Sequence, residues 1–286
     1  MEYFNIDRQK SIEVYVCIVC LTKMLANNIF SARYILSTFV HATSYEDACD
    51  RISTWVSNQE SCYVVAANVH VVMTAYWDAN YREVIQQASL VTPDGMPLVW
   101  AMRLLGVRKQ QRVYGPDLML AWCARAESEK LSIYLYGGTE TMLRQLQDTL
   151  RQRFPSLVIA GSHSPPFRPL APEEEAEDIA RIHASGAGVV FVGLGCPKQE
   201  EWMARQKGKL QAVAIGVGAA FSFHSGEVTQ APRWMMSWGL EWLFRLWAEP
   251  RRLWKRYLIN NPAFAILFAL QLLQQVWRPS NPSDPS

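Results

Sequence analysis

Val189-Val190-Phe191-Val192-Gly193-Leu194-Gly195-Cys196-Pro197-Lys198-Gln199-Glu200 decides the fold. Its first four residues are apolar without alternation, the pattern of a strand covered on both faces. Two glycines then break the run, and Pro197 opens a helix at a position where a missing N–H is tolerated. Ala212 to Val217 is a second run of this kind. Outward from these, strand-like and helix-like stretches alternate. Tyr63 to Ala67 ends at Asn68, and Val69 to Ala88 has helical periodicity. Leu90-Val91 leads into the turn Thr92-Pro93-Asp94-Gly95, and Leu131 to Tyr136 stops at Gly137-Gly138 ahead of Thr139, a predicted helix cap. Leu157 to Ala160 precedes the loop Pro165 to Pro172 and an acidic helix start at Glu173-Glu174-Glu175. Such alternation predicts an α/β, Rossmann-like, mostly parallel sheet from about Ile12 to Phe223.

Composition sets the bounds. Half of the 286 residues are hydrophobic and 19% are charged, enough for a full core. Net charge is +2, but Arg233 to Arg278 holds seven Lys/Arg against Glu241 and Glu249, which gives +5 there and leaves about −3 elsewhere. A basic end points to phosphate or an anionic membrane surface. No nucleic-acid module is recognisable, so nucleic acid is not an expected partner. The six cysteines, Cys17, Cys20, Cys49, Cys62, Cys123 and Cys196, read as reduced thiols in cytoplasm. Cys17 and Cys20 lack further ligands at zinc spacing, Val14 to Leu21 is too short to span a bilayer, and Met1 to Lys10 has no basic signal-peptide region.

The last fifth differs. Trp234, Trp238 and Trp242 stand at i, i+4 and i+8, and Tyr257 to Trp277 contains no charge. Gln271, Gln274 and Gln275 share a helix face opposite Leu267, Leu270 and Leu273. The expectation is an amphipathic helix lying in a membrane interface, ahead of one packed on protein or one that spans. The division is thus 1–232, an α/β catalytic domain; 233–278, a basic, Trp-rich helical appendage that associates with the membrane and completes the site; and 279–286, a disordered tail.

Two loops read as one site, because open α/β sheets bind ligands where strands end. Asp94, held at the tip of a Pro-Asp-Gly turn, can take a proton from a hydroxyl. Asn68 offers a donor and an acceptor beside it. Arg112 could hold a phosphate or a carboxylate bidentately, while Asp117 is placed to cap a helix beginning at Leu118. Gly193 and Gly195, before a helix start, form a candidate anion site with Gln199 reaching the donor; Lys198 and Glu200 read as a helix-start pair. Arg245, Arg252 and Lys255 or Arg256 recur at helical spacing. There is no Asp-x-Asp pair to hold a divalent ion, so no metal and no cofactor are expected. His70, His163 and His224 are isolated and receive no catalytic role.

The Thr92–Gly95 and Gly193–Glu200 motifs, Arg112 to Asp117, and the tail motifs Gly239-Leu240-Glu241-Trp242-Leu243-Phe244-Arg245 and Glu249-Pro250-Arg251-Arg252 resemble the WecG/TagA/CpsF glycosyltransferases of bacterial surface-polymer synthesis, over roughly Tyr63 to Arg256. The resemblance implies a metal-independent inverting transfer from a UDP-sugar to a polyprenyl-diphosphate-linked saccharide, by a protein peripheral on the inner face of the plasma membrane. It implies Asp94 as base, Asn68 and Gln199 as substrate contacts, and tail arginines that close over a diphosphate. Ala66 replaces a threonine common in relatives, and Ser222 replaces their usual aspartate, which weakens whatever contacts those groups make to a sugar or ribose hydroxyl. Met96-Pro97-Leu98-Val99-Trp100 looks like the exopolysaccharide branch. Two alternatives stay open here: a non-catalytic, membrane-docked nucleotide-sugar binder, and a nucleotide-dependent oxidoreductase, against which the missing third glycine of a dinucleotide fingerprint argues. A homo-oligomer is also left open.

Overall fold

The computed structural model describes residues 32–277. The Cys17/Cys20 pair, the Val14–Leu21 run, the expected start of the domain near Ile12 and the tail 279–286 lie outside the described residues. A hairpin comes first, β1 (Ala32–Ile35) antiparallel to β2 (Thr38–His41), followed by α1 (Tyr45–Ser57). Then β3 (Tyr63–Ala67), α2 (Val69–Trp77), α3 (Ala79–Gln86), β4 (Leu90–Pro93), α4 (Met96–Leu104) and α5 (Gly115–Glu129) follow. The second half runs β5 (Ser132–Gly137), α6 (Glu140–Arg153), β6 (Val158–His163), α7 (Pro172–Ser185), β7 (Val189–Gly193), α8 (Lys198–Gln206) and β8 (Val213–Gly216). Four helices complete it: α9 (Ala220–His224), α10 (Arg233–Ser237), α11 (Glu241–Ala248) and α12 (Pro250–Trp277).

Six strands form one parallel sheet in the order β4-β3-β8-β7-β5-β6. Successive residues point to opposite faces, and both faces are covered. Tyr63, Val65 and Ala67 join α2, α3, α4 and α8 in one core cluster, whereas Val64 joins α1, α5 and α6 in the other. Double coverage explains the unbroken apolar runs at 189–192 and 213–215. The sheet edge at β4 is closed by the hairpin: the Val91 amide donates to His41 Nδ1 at 3.0 Å. Burial pushes the His41 imidazole down to about 4, so it stays a neutral acceptor at physiological pH.

Two local expectations are corrected. The periodic stretch 69–88 is two helices, because Asp78 leaves α2 and its carboxylate accepts from the Asn80 and Tyr81 amides to cap α3. Asp117 does not cap a helix; α5 already starts at Gly115, and Asp117 in its first turn pairs with Arg233 at 2.7 Å. Thr139 caps α6 as expected, accepting from the Met142 amide.

The last helix departs in part from the expected polarity. Phe264 and Phe268 of α12 are buried, stacked at 5.8 Å, and packed with α2 in the main core cluster. Gln271 faces protein, accepting from the Leu36 amide and donating to the Tyr34 carbonyl, both at 2.8 Å, in the β1–β2 turn region. Leu258, Ile259, Ile266, Leu270 and Leu273 are exposed, as are Gln274 and Gln275, while Leu267 packs against the core. The helix therefore docks on protein through a mixed face and turns aliphatic side chains outward. Over Pro250–Gln275 it is long and apolar enough to cross a membrane by length and composition alone, with a mean hydropathy of 1.2.

Replacing a buried phenylalanine by alanine costs about 3–5 kcal/mol, whereas an exposed leucine costs little. Phe264→Ala is therefore expected to expose residues 250–277 to protease and hydrogen exchange, while Leu270→Ala leaves both unchanged. Equal behaviour of the two variants would refute this docking.

Candidate active site

The register of the parallel pair β3/β4 sets the site. Ala67 pairs with Pro93, so Asn68 and Asp94 leave the sheet side by side, and the Asp94 amide donates to the Ala67 carbonyl at 2.8 Å. The chain runs outward from β3 to β4 and then restarts at β5 across the sheet, with β8 and β7 between. Strand ends that diverge in this way open a crevice. A cleft of about 1770 Å³ lies there, with Asn68, Asp94 and Arg112 on one side, Gly195 and Gln199 on another, and Arg245 and Arg256 brought by the C-terminal helices.

Asp94 has a largely buried side chain, 14% exposed. Its carboxylate meets Arg112 Nη2 at 3.3 Å and the Gly115 backbone amide. Burial dominates these contacts and raises its pKa to about 6, with Glu241 adding in the same direction and Arg112 opposing. Such a group is ionised at neutral pH yet basic enough to accept a proton. Space at Gly115 is tight: a Cβ there would lie 3.3 Å from Ala66 Cβ and 3.5 Å from Asp94 Oδ2.

Arg112 is not free for a ligand. Its Nη2 also donates to Glu241 Oε2 at 2.6 Å, its Nε donates to the Asp94 carbonyl, and its guanidinium lies 3.9 Å over the Tyr114 ring. Two carboxylates already compensate its charge. Asn68 both lines the cleft and caps α2, with Oδ1 accepting from the His70 and Val71 amides. That leaves its amide NH₂ as the group available to a ligand.

At the start of α8 several amides already have partners within the protein. The Gln199 amide donates to the Gly195 carbonyl at 2.9 Å, the Glu201 amide to the Pro197 carbonyl at 3.1 Å, and Glu200 takes its own amide with its carboxylate. Glu200 is fully buried rather than a surface helix-start residue, and burial raises its pKa to about 7. It accepts from Gln199 Nε2 at 2.7 Å, which leaves the buried Gln199 Oε1 without a protein partner at the cleft. Gly193 is a packing requirement, since a Cβ there would come within 2.6 Å of the Phe221 ring. Gly195, at φ +78, has open space around it. Ser222 lines the cleft and donates to the Ala219 carbonyl at 3.0 Å.

Positive charge lines the cleft at Lys198 of α8 and on the C-terminal helices. Arg245 and Arg256 each have a buried Nε without a partner, and neither forms an ion pair among the described residues. Burial, followed among the cations by Arg245 and Arg252, pulls the Arg256 pKa down, as expected of a cationic cluster awaiting an anion. Arg252 lines the same cleft but is exposed and holds Glu249 at 2.8 Å. Lys255 is corrected: it is exposed outside the cleft, with Nζ 5.5 Å from the Trp254 ring, because Arg252 and Arg256 take the inward positions one turn apart. Among the described residues no three His, Cys, Asp or Glu gather as metal ligands. Sequence reasoning gave no role to Glu241 and misplaced Glu200; a first-turn acid on a helix carries no signal of whether it turns inward.

Residues 33–278 match the model of the "Glycosyl transferase WecG/TagA/CpsF family". The chain is 30% identical over 207 residues to an N-acetylglucosaminyldiphosphoundecaprenol N-acetyl-β-D-mannosaminyltransferase of Bacillus spizizenii, covering 72% of this chain and 78% of that one. A protein of the same description from Bacillus subtilis is 30% identical over 228 residues, covering 78% and 84%.

A raised carboxylate pKa carries a stability signature. The folded value of about 6 lies above the ordinary 3.8, so the folded protein binds the extra proton and stability falls as pH rises between the two. Asp94→Asn removes that cost. Its thermal midpoint at pH 7 is expected to be no lower than wild type, with the difference shrinking by pH 4. A variant clearly less stable at pH 7 would contradict the burial of a strained charge.

Proposed function

This chain belongs to the WecG/TagA/CpsF family of glycosyl transferases, and from that premise we propose a specific reaction for its cleft. A hexosyl or N-acetylhexosaminyl group moves from a UDP-sugar to a hydroxyl of a saccharide carried on a polyprenyl diphosphate. The observation that carries this reading is the pairing, in one cleft, of a raised-pKa carboxylate at Asp94 with the uncompensated cations Arg245 and Arg256.

The acceptor hydroxyl gives its proton to Asp94 as its oxygen bonds to the anomeric carbon. The bond from that carbon to the diphosphate breaks, and the electron pair leaves with the nucleoside diphosphate. Arg245 and Arg256, with Arg252 at the rim, compensate the charge that grows on it, electrostatic work that preorganised donors perform well in a shielded site. A single displacement with one base inverts the anomeric centre. That agrees with the β linkage in the names of the two Bacillus relatives. Asn68 and the free Gln199 Oε1 supply a donor and an acceptor for sugar or nucleotide groups. The relatives' names point to N-acetylmannosamine on lipid-linked N-acetylglucosamine; the Met96–Trp100 segment favours a role in exopolysaccharide synthesis.

The lipid acceptor gives the C-terminal surface a purpose. Trp234, Trp238 and Trp247 are 62%, 72% and 81% exposed, beside the outward aliphatic residues of α12. Tryptophan suits the membrane–water boundary, so the protein sits on the inner face of the plasma membrane with this segment against lipid.

Two outcomes are expected. Asp94→Asn should lower kcat by ~10²–10⁴, measured by mass spectrometry of products from a panel of UDP-sugars and short-chain polyprenyl-diphosphate acceptors; wild-type turnover would remove Asp94 from the mechanism. Activity should also persist in excess EDTA, because arginines take the place of a divalent ion. Loss with chelator and recovery with manganese or magnesium would overturn that part.

A further inference from the structure

We infer that Glu241 is a positioning residue: it holds Arg112 between two carboxylates and thereby makes the basicity of Asp94 depend on the docking of α11. This deepens the reading above and rests on Asp94 acting as the base.

Three observations converge. Arg112 Nη2 touches Asp94 Oδ1 at 3.3 Å and Glu241 Oε2 at 2.6 Å, so the closer partner is the one supplied by the C-terminal segment. Glu241 Oε1 accepts from Tyr114 Oη at 3.0 Å, and Gln230 Nε2 donates to that hydroxyl at 3.4 Å, which fixes the carboxylate from its other oxygen. The turn before Glu241 rests on the helix after Asp94. Gly239 has φ +70, and a Cβ on it would lie 2.6 Å from Trp100 and 3.3 Å from Met96 Cβ. Glycine supplies both the left-handed conformation and the close approach. Glu241 is thus located against the Asp94 loop from two directions.

One guanidinium divided between two carboxylates stabilises each less than it would a single bidentate partner. With Glu241 seated, Arg112 cannot turn wholly to Asp94, whose pKa stays near 6. Without the Glu241 charge, Arg112 closes on Asp94 alone and the carboxylate becomes a poorer base. The other charged or titratable groups facing this triad are few. Tyr114 stacks on Arg112, and Tyr45 Oη accepts from the Tyr114 amide. Asp117 and Arg233 form a closed pair at 2.7 Å, and Arg245 lies one turn beyond Glu241 on α11. None of them substitutes for a carboxylate on Arg112.

The test compares the full chain with Glu241→Gln, Glu241→Asp, Gly239→Ala and Asp94→Asn, reading kcat and KM for the UDP-sugar from pH 5 to 9. Glu241→Gln should lower kcat about tenfold with donor KM little changed, and move the acid limb of kcat/KM down by about one pH unit. Glu241→Asp, which keeps the charge, should return the limb toward wild type. Gly239→Ala leaves the carboxylate in the chain but pushes α11 off Trp100, and should move the limb in the same direction as Glu241→Gln; it carries the test if Glu241→Gln does not fold. An acid limb that stays at the wild-type pH in the folded variants, with Asp94→Asn inactive, would overturn the inference and leave Glu241 a strut. An active Asp94→Asn would instead defeat the base assignment itself.

Discussion

A parallel sheet buried on both faces is the constraint from which the site follows. Every strand of such a sheet delivers its following loop to the same edge, and the faces, sealed by α1, α5 and α6 on one side and by α2, α3, α4 and α8 on the other, leave no other place for polar chemistry. Parallel pairing of β3 with β4 then fixes Asn68 and Asp94 as neighbours, and the restart at β5 opens room beside them. Position comes from the sheet. Chemistry comes from what is added to that edge.

The cleft is divided electrostatically. The β3–β4 side holds a closed network, Asp94–Arg112–Glu241–Tyr114, in which every charged member has a partner. The C-terminal side holds arginines with unpartnered nitrogens. In the reaction proposed above, the acceptor hydroxyl and the departing nucleoside diphosphate make opposite demands, which match this asymmetry. Burial works with the division: it raises Asp94 and lowers Arg256, so each group is held closer to the protonation change or anion that it awaits.

Much of this was legible in the sequence, for identifiable reasons. Apolar runs at 189–192 and 212–217 fit strands with two covered faces, and Asp94 on its turn is a local pattern. Contacts between distant segments were not legible. Nothing in Arg112 itself tells that Glu241, 129 positions later, takes its free nitrogen. At the start of α8 glycines before a helix promise free amides, and only packing shows that those of Gln199, Glu200 and Glu201 are engaged by the Gly195 and Pro197 carbonyls and the Glu200 side chain. The last helix misled in part for a related reason: three glutamines on one face suggest solvent, and Gln274 and Gln275 are exposed, but Gln271 bonds the backbone of Tyr34 and Leu36.

The placement of the basic wall has a consequence for the order in which the protein becomes active. The sheet is complete at Gly216, whereas Glu241, Arg245 and Arg256 all follow it in sequence. A chain growing from its N-terminus therefore builds its core, its crevice and the Asp94–Arg112 pair before Arg245 and Arg256 arrive. Until α12 has emerged and seated Phe264 and Phe268, the half-made cleft lacks the Arg256 guanidinium and its buried Nε. The cleft is therefore completed last, by the same stretch 233–277 that carries the exposed Trp234, Trp238 and Trp247.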